Sequence, residues 1–193
     1  MFNLIGTALE LPTSVVKMAS ATQLHDYSGW KSSEWGLKAE EAAFRILSHL
    51  DAEVYLAPSG SALDCQLKGD IVLQVGAKSF LYQVKSNLET AQLHLKKKSL
   101  LVLYDGSKQA YPACGCIIST GSKPLEGAIS PLELVLLVSE QTGIPLKPVV
   151  QEAVDMVTKL KGNTLPAKLF TKQYTALLEL GLAKSVKGDL VFN

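Results

Sequence analysis

The stretch 70–85 constrains the fold of this chain more than any other. It runs Asp70-Ile-Val-Leu-Gln-Val75, breaks at Gly76-Ala77-Lys78, and resumes as Phe80-Leu-Tyr-Gln-Val-Lys85. Two apolar runs rich in β-branched and aromatic residues, joined by a short glycine-bearing turn, read as a β-hairpin. Asp70 opens the first strand, and Gln83 and Lys85 close the second, so the three lie side by side at the end away from the turn. Gln83 and Lys85 are two residues apart and project from the same face. A carboxylate, an amide and an ammonium thus converge where an otherwise apolar hairpin ends. Polar ends are common on such hairpins, so the elements around it must decide between a site and a solvated edge.

Those elements have an order. The segment 33–50 is an amphipathic helix: Ser33 can cap it, and Ala39, Ala43, Ile46, Leu47 and Leu50 recur at helical spacing. Residues 53–57 read as a short strand closed by Pro58-Ser59-Gly60-Ser61, whose composition is that of a turn. After the hairpin, 88–98 reads as a helix, 100–104 as a buried strand and 114–119 as another strand. Residues 4–11 fit either a short strand or a helical turn, with a helix opening at Val15. The second half is helical. Ser130-Pro131-Leu132-Glu133 is a capping box with proline at the first helical position, Pro148 opens a second helix, and 170–180 forms a third. Two short strands around Lys187-Gly188-Asp189 end the chain. The class is α/β, with a mixed central sheet flanked by helices and a helical C-terminal extension.

The order helix, three-stranded meander, helix, two further strands resembles the core of the PD-(D/E)XK nuclease superfamily, the restriction-endonuclease-like fold. The resemblance covers 33–119, about half of the chain. It places the family's aspartate at Asp70 and its (D/E)-x-K at Gln83-Val84-Lys85, with glutamine where the family has a carboxylate. A Q-x-K form occurs in some active members, among them homing endonucleases and transposon endonuclease subunits. The family adds a glutamate on the preceding helix. Glu40 sits roughly 75° from the centre of the apolar face and Glu41 almost opposite it, so Glu40 is the candidate. The resemblance implies metal-dependent phosphodiester hydrolysis, with Mg²⁺ (Mn²⁺ substituting) held by Asp70, the Val84 carbonyl, Gln83 and Glu40, and with Lys85 orienting water. It also implies DNA as substrate and a homodimer or an assembly with a partner protein, since two strands need two sites. A catalytically inactive DNA-binding or assembly protein of the same fold is the alternative that Gln83 keeps open.

Composition narrows the setting. With 47% hydrophobic and 19% charged residues in 193, a core can be buried and a disordered chain is excluded. No apolar run approaches the ~20 residues of a membrane span. Three cysteines cannot all pair, and Cys114-Gly-Cys116 lacks zinc-site spacing, so free thiols in a cytoplasmic protein are expected. Net charge is +1, which announces no polyanion, but 145–193 holds seven lysines against four acidic residues. Arg45 is the only arginine, so lysine contacts to phosphate are favoured over arginine readout of guanine. Lys96, Lys97 and Lys98 form the densest positive run, and because it follows the hairpin the three are candidate nucleic-acid contacts beside a DNA backbone, although a solvated face accounts for such a run as well. The boundary is set at 143/144, giving a nuclease-like domain 1–143 and an extension 144–193. A helix ending Leu180-Gly-Leu182 before a lysine-bearing hairpin resembles the end of a winged helix, and Lys168, Lys172, Lys184 and Lys187 would then contact phosphate. An ordinary helix stop before a packed terminal hairpin accounts for the segment equally well. Trp30 and Trp35 are expected to pack, and His25 and His49 have no partner at triad or ligand spacing.

Overall fold

The computed structural model describes residues 1–25, 33–121 and 125–193. In chain order the elements are β1 (Phe2–Ile5), β2 (Leu9–Pro12), α1 (Thr13–Ala21), α2 (Glu34–Leu47), β3 (Glu53–Leu56), α3 (Ala62–Cys65), β4 (Ile71–Val75), β5 (Lys78–Lys85) and α4 (Leu88–Leu95). There follow β6 (Ser99–Val102), β7 (Lys108–Tyr111), β8 (Gly115–Ser119), α5 (Pro131–Thr142), α6 (Pro148–Leu160), β9 (Thr164–Pro166), a 3-10 helix (Ala167–Phe170), α7 (Tyr174–Glu179), β10 (Ala183–Val186) and β11 (Asp189–Phe192). They divide into two compact units, Met1–Phe44 with Ala52–Ala128, and Arg45–Asp51 with Ile129–Asn193.

The first unit is built on a mixed sheet in the order β1-β8-β5-β4-β3, with β2 also paired to β5. The hairpin forms as read: Ile71 faces Tyr82 and Val75 faces Lys78, leaving Gly76 and Ala77 as a two-residue turn with Gly76 at φ 57. β3 pairs antiparallel with β4, which completes the meander. β8 runs parallel to β5, and such a pair requires a crossover connection, which contains α4. Asn87 starts that helix by accepting the Thr90 N–H at 2.9 Å. One edge of β5 is shared, β2 pairing along Lys78–Leu81 and β8 along Tyr82–Lys85. Where the partners change, the Gly115 N–H donates to the Thr7 carbonyl at 2.7 Å. A Cβ at 115 would lie 2.6 Å from that oxygen, so only glycine allows the close approach.

α1 and α3 cover part of this sheet, with Val16, Ala19, Leu63 and Leu67 packed among Val72, Leu81 and Cys114. α4 packs on β8 through Ala91, Cys116 and Ile118. Fully burying a Leu or Ile contributes about 1.5–3 kcal/mol, so these contacts are the main support of the sheet. Residues 79–84 of β5 are all buried, as expected of a strand covered on both faces. In α2, all five of Ala39, Ala43, Ile46, Leu47 and Leu50's face are buried, the last just beyond the helix end.

Several readings are corrected. The segment read as one strand or helical turn over 4–11 is two strands, β1 and β2, and the helix expected from Val15 opens at Thr13. The segment 100–104 is not a buried strand of the main sheet: among the described residues β6 pairs only with β7, and Leu100, Val102 and Tyr104 are exposed. A lone hairpin can bury only one row of side chains, here Ser99 and Leu101. Only β8 of the two later strands therefore joins the central sheet. α4 stops at Leu95 because three consecutive lysines offer no apolar face to continue it. Trp35 does not pack. It is 73% exposed in the first turn of α2, ahead of the first buried position, Ala39. Trp30 lies outside the described residues.

In the second unit, α5 carries the capping box, with Ser130 Oγ accepting from Glu133 N at 3.2 Å and Glu133 Oε2 from Ser130 N at 2.7 Å. The sheet order is β10-β11-β9, and Lys187 and Gly188 both take positive φ in the tight turn between β10 and β11. Of the expected helix 170–180 only Tyr174–Glu179 is α-helical, as α7, and Phe170 instead ends the preceding 3-10 helix. Phe170, at the end of the 3-10 helix, is buried edge-on against Phe192 at 5.2 Å. His49 has a partner far away in sequence: its Nε2 lies within hydrogen-bond distance of Glu179 Oε2, at 2.9 Å and across 130 residues of chain.

Candidate active site

The paired ends of β4 and β5 put Asp70, Gln83, Val84 and Lys85 on one cleft, and α2 brings Glu40 to it. The cleft has a volume of about 490 Å³. Asp70 stands just before β4, its N–H donating to Tyr82 O at 2.9 Å and its carbonyl accepting from Ala57 N at 2.8 Å. The strand end thus anchors its backbone on both sides. Its side chain is held as firmly: Oδ2 accepts the Val84 N–H at 2.7 Å and an amide N–H from Gln83 Nε2. With its nitrogen donating to Asp70, the Gln83 amide turns Oε1 away from that carboxyl. A strand residue sends its N–H and C=O to the same edge, so the Val84 carbonyl points to the Asp70 edge as well. The five residues singled out from the sequence are therefore brought together. Glu41 is exposed, consistent with the choice of Glu40.

Charge in the cleft is poorly compensated. Burial, opposed by Lys85 and by the Val84 N–H, pushes the Asp70 carboxyl up from 3.8 to about 7, and the negative charge of Glu40 adds to the rise. Burial also raises Glu40, with Asp64 adding to the rise and Lys85 opposing it. Glu40, Asp64 and Asp70 therefore share one field, which Lys85 offsets only in part. Among the described residues no three His, Cys, Asp or Glu side chains form a group able to hold a metal ion by themselves. A cation here would rely on mixed donors: carboxylate oxygens of Asp70 and Glu40, the Gln83 amide oxygen and the Val84 carbonyl. All four are hard oxygen donors of the kind Mg²⁺ takes, and a divalent cation would supply the missing positive charge. In that sense the donor set fits.

Two lining residues, Asp64 and Lys68, were not singled out from the sequence. Asp64 belongs to α3, where Ser61 Oγ accepts its N–H at 3.3 Å and its own Oδ2 accepts from Gly60 N at 2.9 Å. A four-residue helix leaves almost no periodic signal, and the Ser-x-x-Asp spacing was its one trace. A second cleft of about 540 Å³ adjoins the first, sharing Lys68, Gln83 and Lys85 with it and adding Lys97 and Lys98. Lys96 is exposed but does not line it. His94, also on this wall, is buried and bonded through Nε2 to Cys114 O at 2.8 Å. Cys65, Cys114 and Cys116 are free thiols, the last two buried.

The tail lysines lie in the second unit and are exposed. Lys168 is on the 3-10 helix, Lys172 precedes α7, Lys184 is on β10 and Lys187 is in the β10–β11 turn. Among the described residues no helix is long and apolar enough to cross a membrane. Comparison with protein-family models, curated proteins and solved structures found no match to this chain.

Proposed function

We propose that the chain is a Mg²⁺-dependent DNA endonuclease with a restriction-endonuclease-like core. The observation that carries this reading is Asp70 itself. A carboxyl fastened by the Val84 N–H and Gln83 at the end of a hairpin, flanked by Glu40 and Lys85, is pushed to about 7 by burial, which a fold has no structural need to tolerate. Bound among the four oxygen donors, Mg²⁺ would acidify a water and stabilise charge developing on the phosphate oxygens. Asp70 and Gln83, each holding the other in place, would be among the residues that hold it. Lys85, the cation facing both carboxylates, orients the attacking water and offsets the negative charge of the transition state. Glu40 approaches from the helix and completes the donor set, directly or through water.

For the second unit, the order α6, β9, 3-10 helix, α7, β10, β11 with sheet order β10-β11-β9 supports reading it as a winged helix that grips DNA. Lys168, Lys172, Lys184 and Lys187 are its phosphate contacts. Cutting both strands calls for two such sites, in a homodimer or an assembly with another protein. Free thiols suit a reducing cytoplasm.

The second reading, a DNA-binding protein of the same fold without activity, is favoured by one observation: with Gln83 in place of a carboxylate, no three His, Cys, Asp or Glu side chains among the described residues form a metal group. The test incubates purified protein with supercoiled and linear DNA in Mg²⁺, Mn²⁺ or EDTA, beside Asp70→Ala and Lys85→Ala. Metal-dependent nicking lost in both variants is the expected result. DNA binding without cleavage under every metal would select the inactive reading instead.

A further inference from the structure

Lys68 occupies a conformation that lysine rarely adopts. Its φ is 55, in the left-handed region, where a Cβ is crowded and glycine is the ordinary occupant. Two buried donors hold the loop there: Cys114 Sγ donates to Lys68 O at 3.1 Å, and Ser99 Oγ donates to Leu67 O at 3.1 Å. Glycine stands one position later, at Gly69, so the strain at 68 comes with a side chain and not from want of a flexible residue nearby. That side chain lines both clefts. Beyond it the second cleft is walled by Lys97 and Lys98, both exposed. Among the described residues no carboxylate forms an ion pair with Lys68, Lys97 or Lys98. Lys68, Lys85 and Lys97 all act on His94, which marks them as one electrostatic group. An unpaired cationic cleft opening onto a carboxylate cleft is built for an anion that runs from one into the other.

We infer that Lys68, with Lys97 and Lys98, forms a phosphodiester-binding subsite that holds the nucleic-acid strand one step away from the Asp70 cleft. This rests on the nuclease reading and names the residues that seat its substrate. Lys68 is a positioning residue: it places the backbone so that the phosphate to be cut falls at Asp70, and it takes no part in the chemistry.

The experiment uses the full chain in EDTA, with fluorescein-labelled single- and double-stranded oligonucleotides followed by anisotropy across a salt series. Lys68→Gly removes the ammonium and relieves the backbone, so its melting temperature should equal or exceed that of the wild type. Lys97→Ala/Lys98→Ala is the companion, and Lys108→Ala, outside both clefts, the control. Lys68→Gly should weaken binding several-fold at low salt and reduce the salt slope by about 0.7–0.9, the value of one phosphate contact. The double variant should lose about twice that slope, and Lys108→Ala none. Wild-type binding with an unchanged Lys68→Gly slope would overturn the subsite and leave the nuclease reading standing. A wild type that binds no oligonucleotide either in EDTA or with Ca²⁺ in its place would overturn both. A parallel titration with thymidine monophosphate separates a strand from a free phosphate: binding of the mononucleotide alone, sensitive to Lys68→Gly, would also overturn the strand assignment.

Discussion

Replacing Asp70 with Asn should make the metal-free protein more stable at pH 8 while abolishing cleavage. The folded-state carboxyl titrates at about 7 against an ordinary 3.8, mainly because the fold desolvates it. Below 3.8 the group is protonated in both states and has no effect. As pH rises from 3.8 to about 7 the unfolded chain releases the proton and the folded one keeps it, so stability falls, and above about 7 the whole loss is present. Each pH unit between the two values is about 1.4 kcal/mol, which makes the loss about 4 kcal/mol at most. The Asp70 side chain keeps part of its surface in solvent, so an expected loss of about 2 kcal/mol is the better figure. Asn matches the shape, cannot ionise, and can still accept the Val84 N–H. Urea unfolding followed by circular dichroism in EDTA should therefore show the variant ahead by about 1 M in midpoint at pH 8, with the gap closing towards pH 4. Adding Mg²⁺ at pH 8 should raise the wild-type midpoint and leave the variant unmoved. A variant less stable than the wild type at pH 8 in EDTA would refute the reasoning, since it would mean that Asp70 is well compensated without a cation.

Introducing a carboxylate with Gln83→Glu should tighten Mg²⁺ binding by calorimetry at least tenfold, and should lower metal-free stability further by placing a second charge against Asp70. Gly115→Ala should cost about 1–3 kcal/mol in thermal or urea unfolding, because the new Cβ meets Thr7 O at 2.6 Å and the β1–β2 connection must shift. His94 has its pKa lowered, first by burial and then by Lys85, Lys68 and Lys97 against the bond to Cys114 O. A histidine depressed in the folded state contributes its full stability above the ordinary 6.5, and loses it as pH falls below 6.5. His94→Gln should therefore flatten the acid side of the wild-type stability profile below pH 6.5, and an unchanged slope would remove His94 as its cause.

Much of what surrounds the site was legible from neighbours in sequence. The β4–β5 hairpin was readable because its two strands are joined by a two-residue turn, so register follows from the turn. The buried face of α2 was readable because Ala39, Ala43, Ile46, Leu47 and Leu50 repeat at its period. The same local logic placed Asp70 across from Gln83 and preferred Glu40 to Glu41. Elements that depend on distant partners were not readable. β1 and β2 are four residues each, and nothing local says that one lies on β8 and the other on β5. β6 has the apolar content of a core strand, yet among the described residues it pairs only with β7 and leaves Tyr104 beyond it 96% exposed.

The sequence by itself determined the α/β class, the hairpin with its polar end, and the candidate residues Glu40, Asp70, Gln83 and Lys85, because each depends on short-range periodicity or turn chemistry. Tertiary structure alone decided that Asp64 and Lys68 stand in the same cleft, that Lys97 and Lys98 open beside it while Lys96 does not, and that His49 meets Glu179. It also decided the charge state of Asp70, since desolvation is a property of everything packed around a group and has no signature in the residues beside it in the chain.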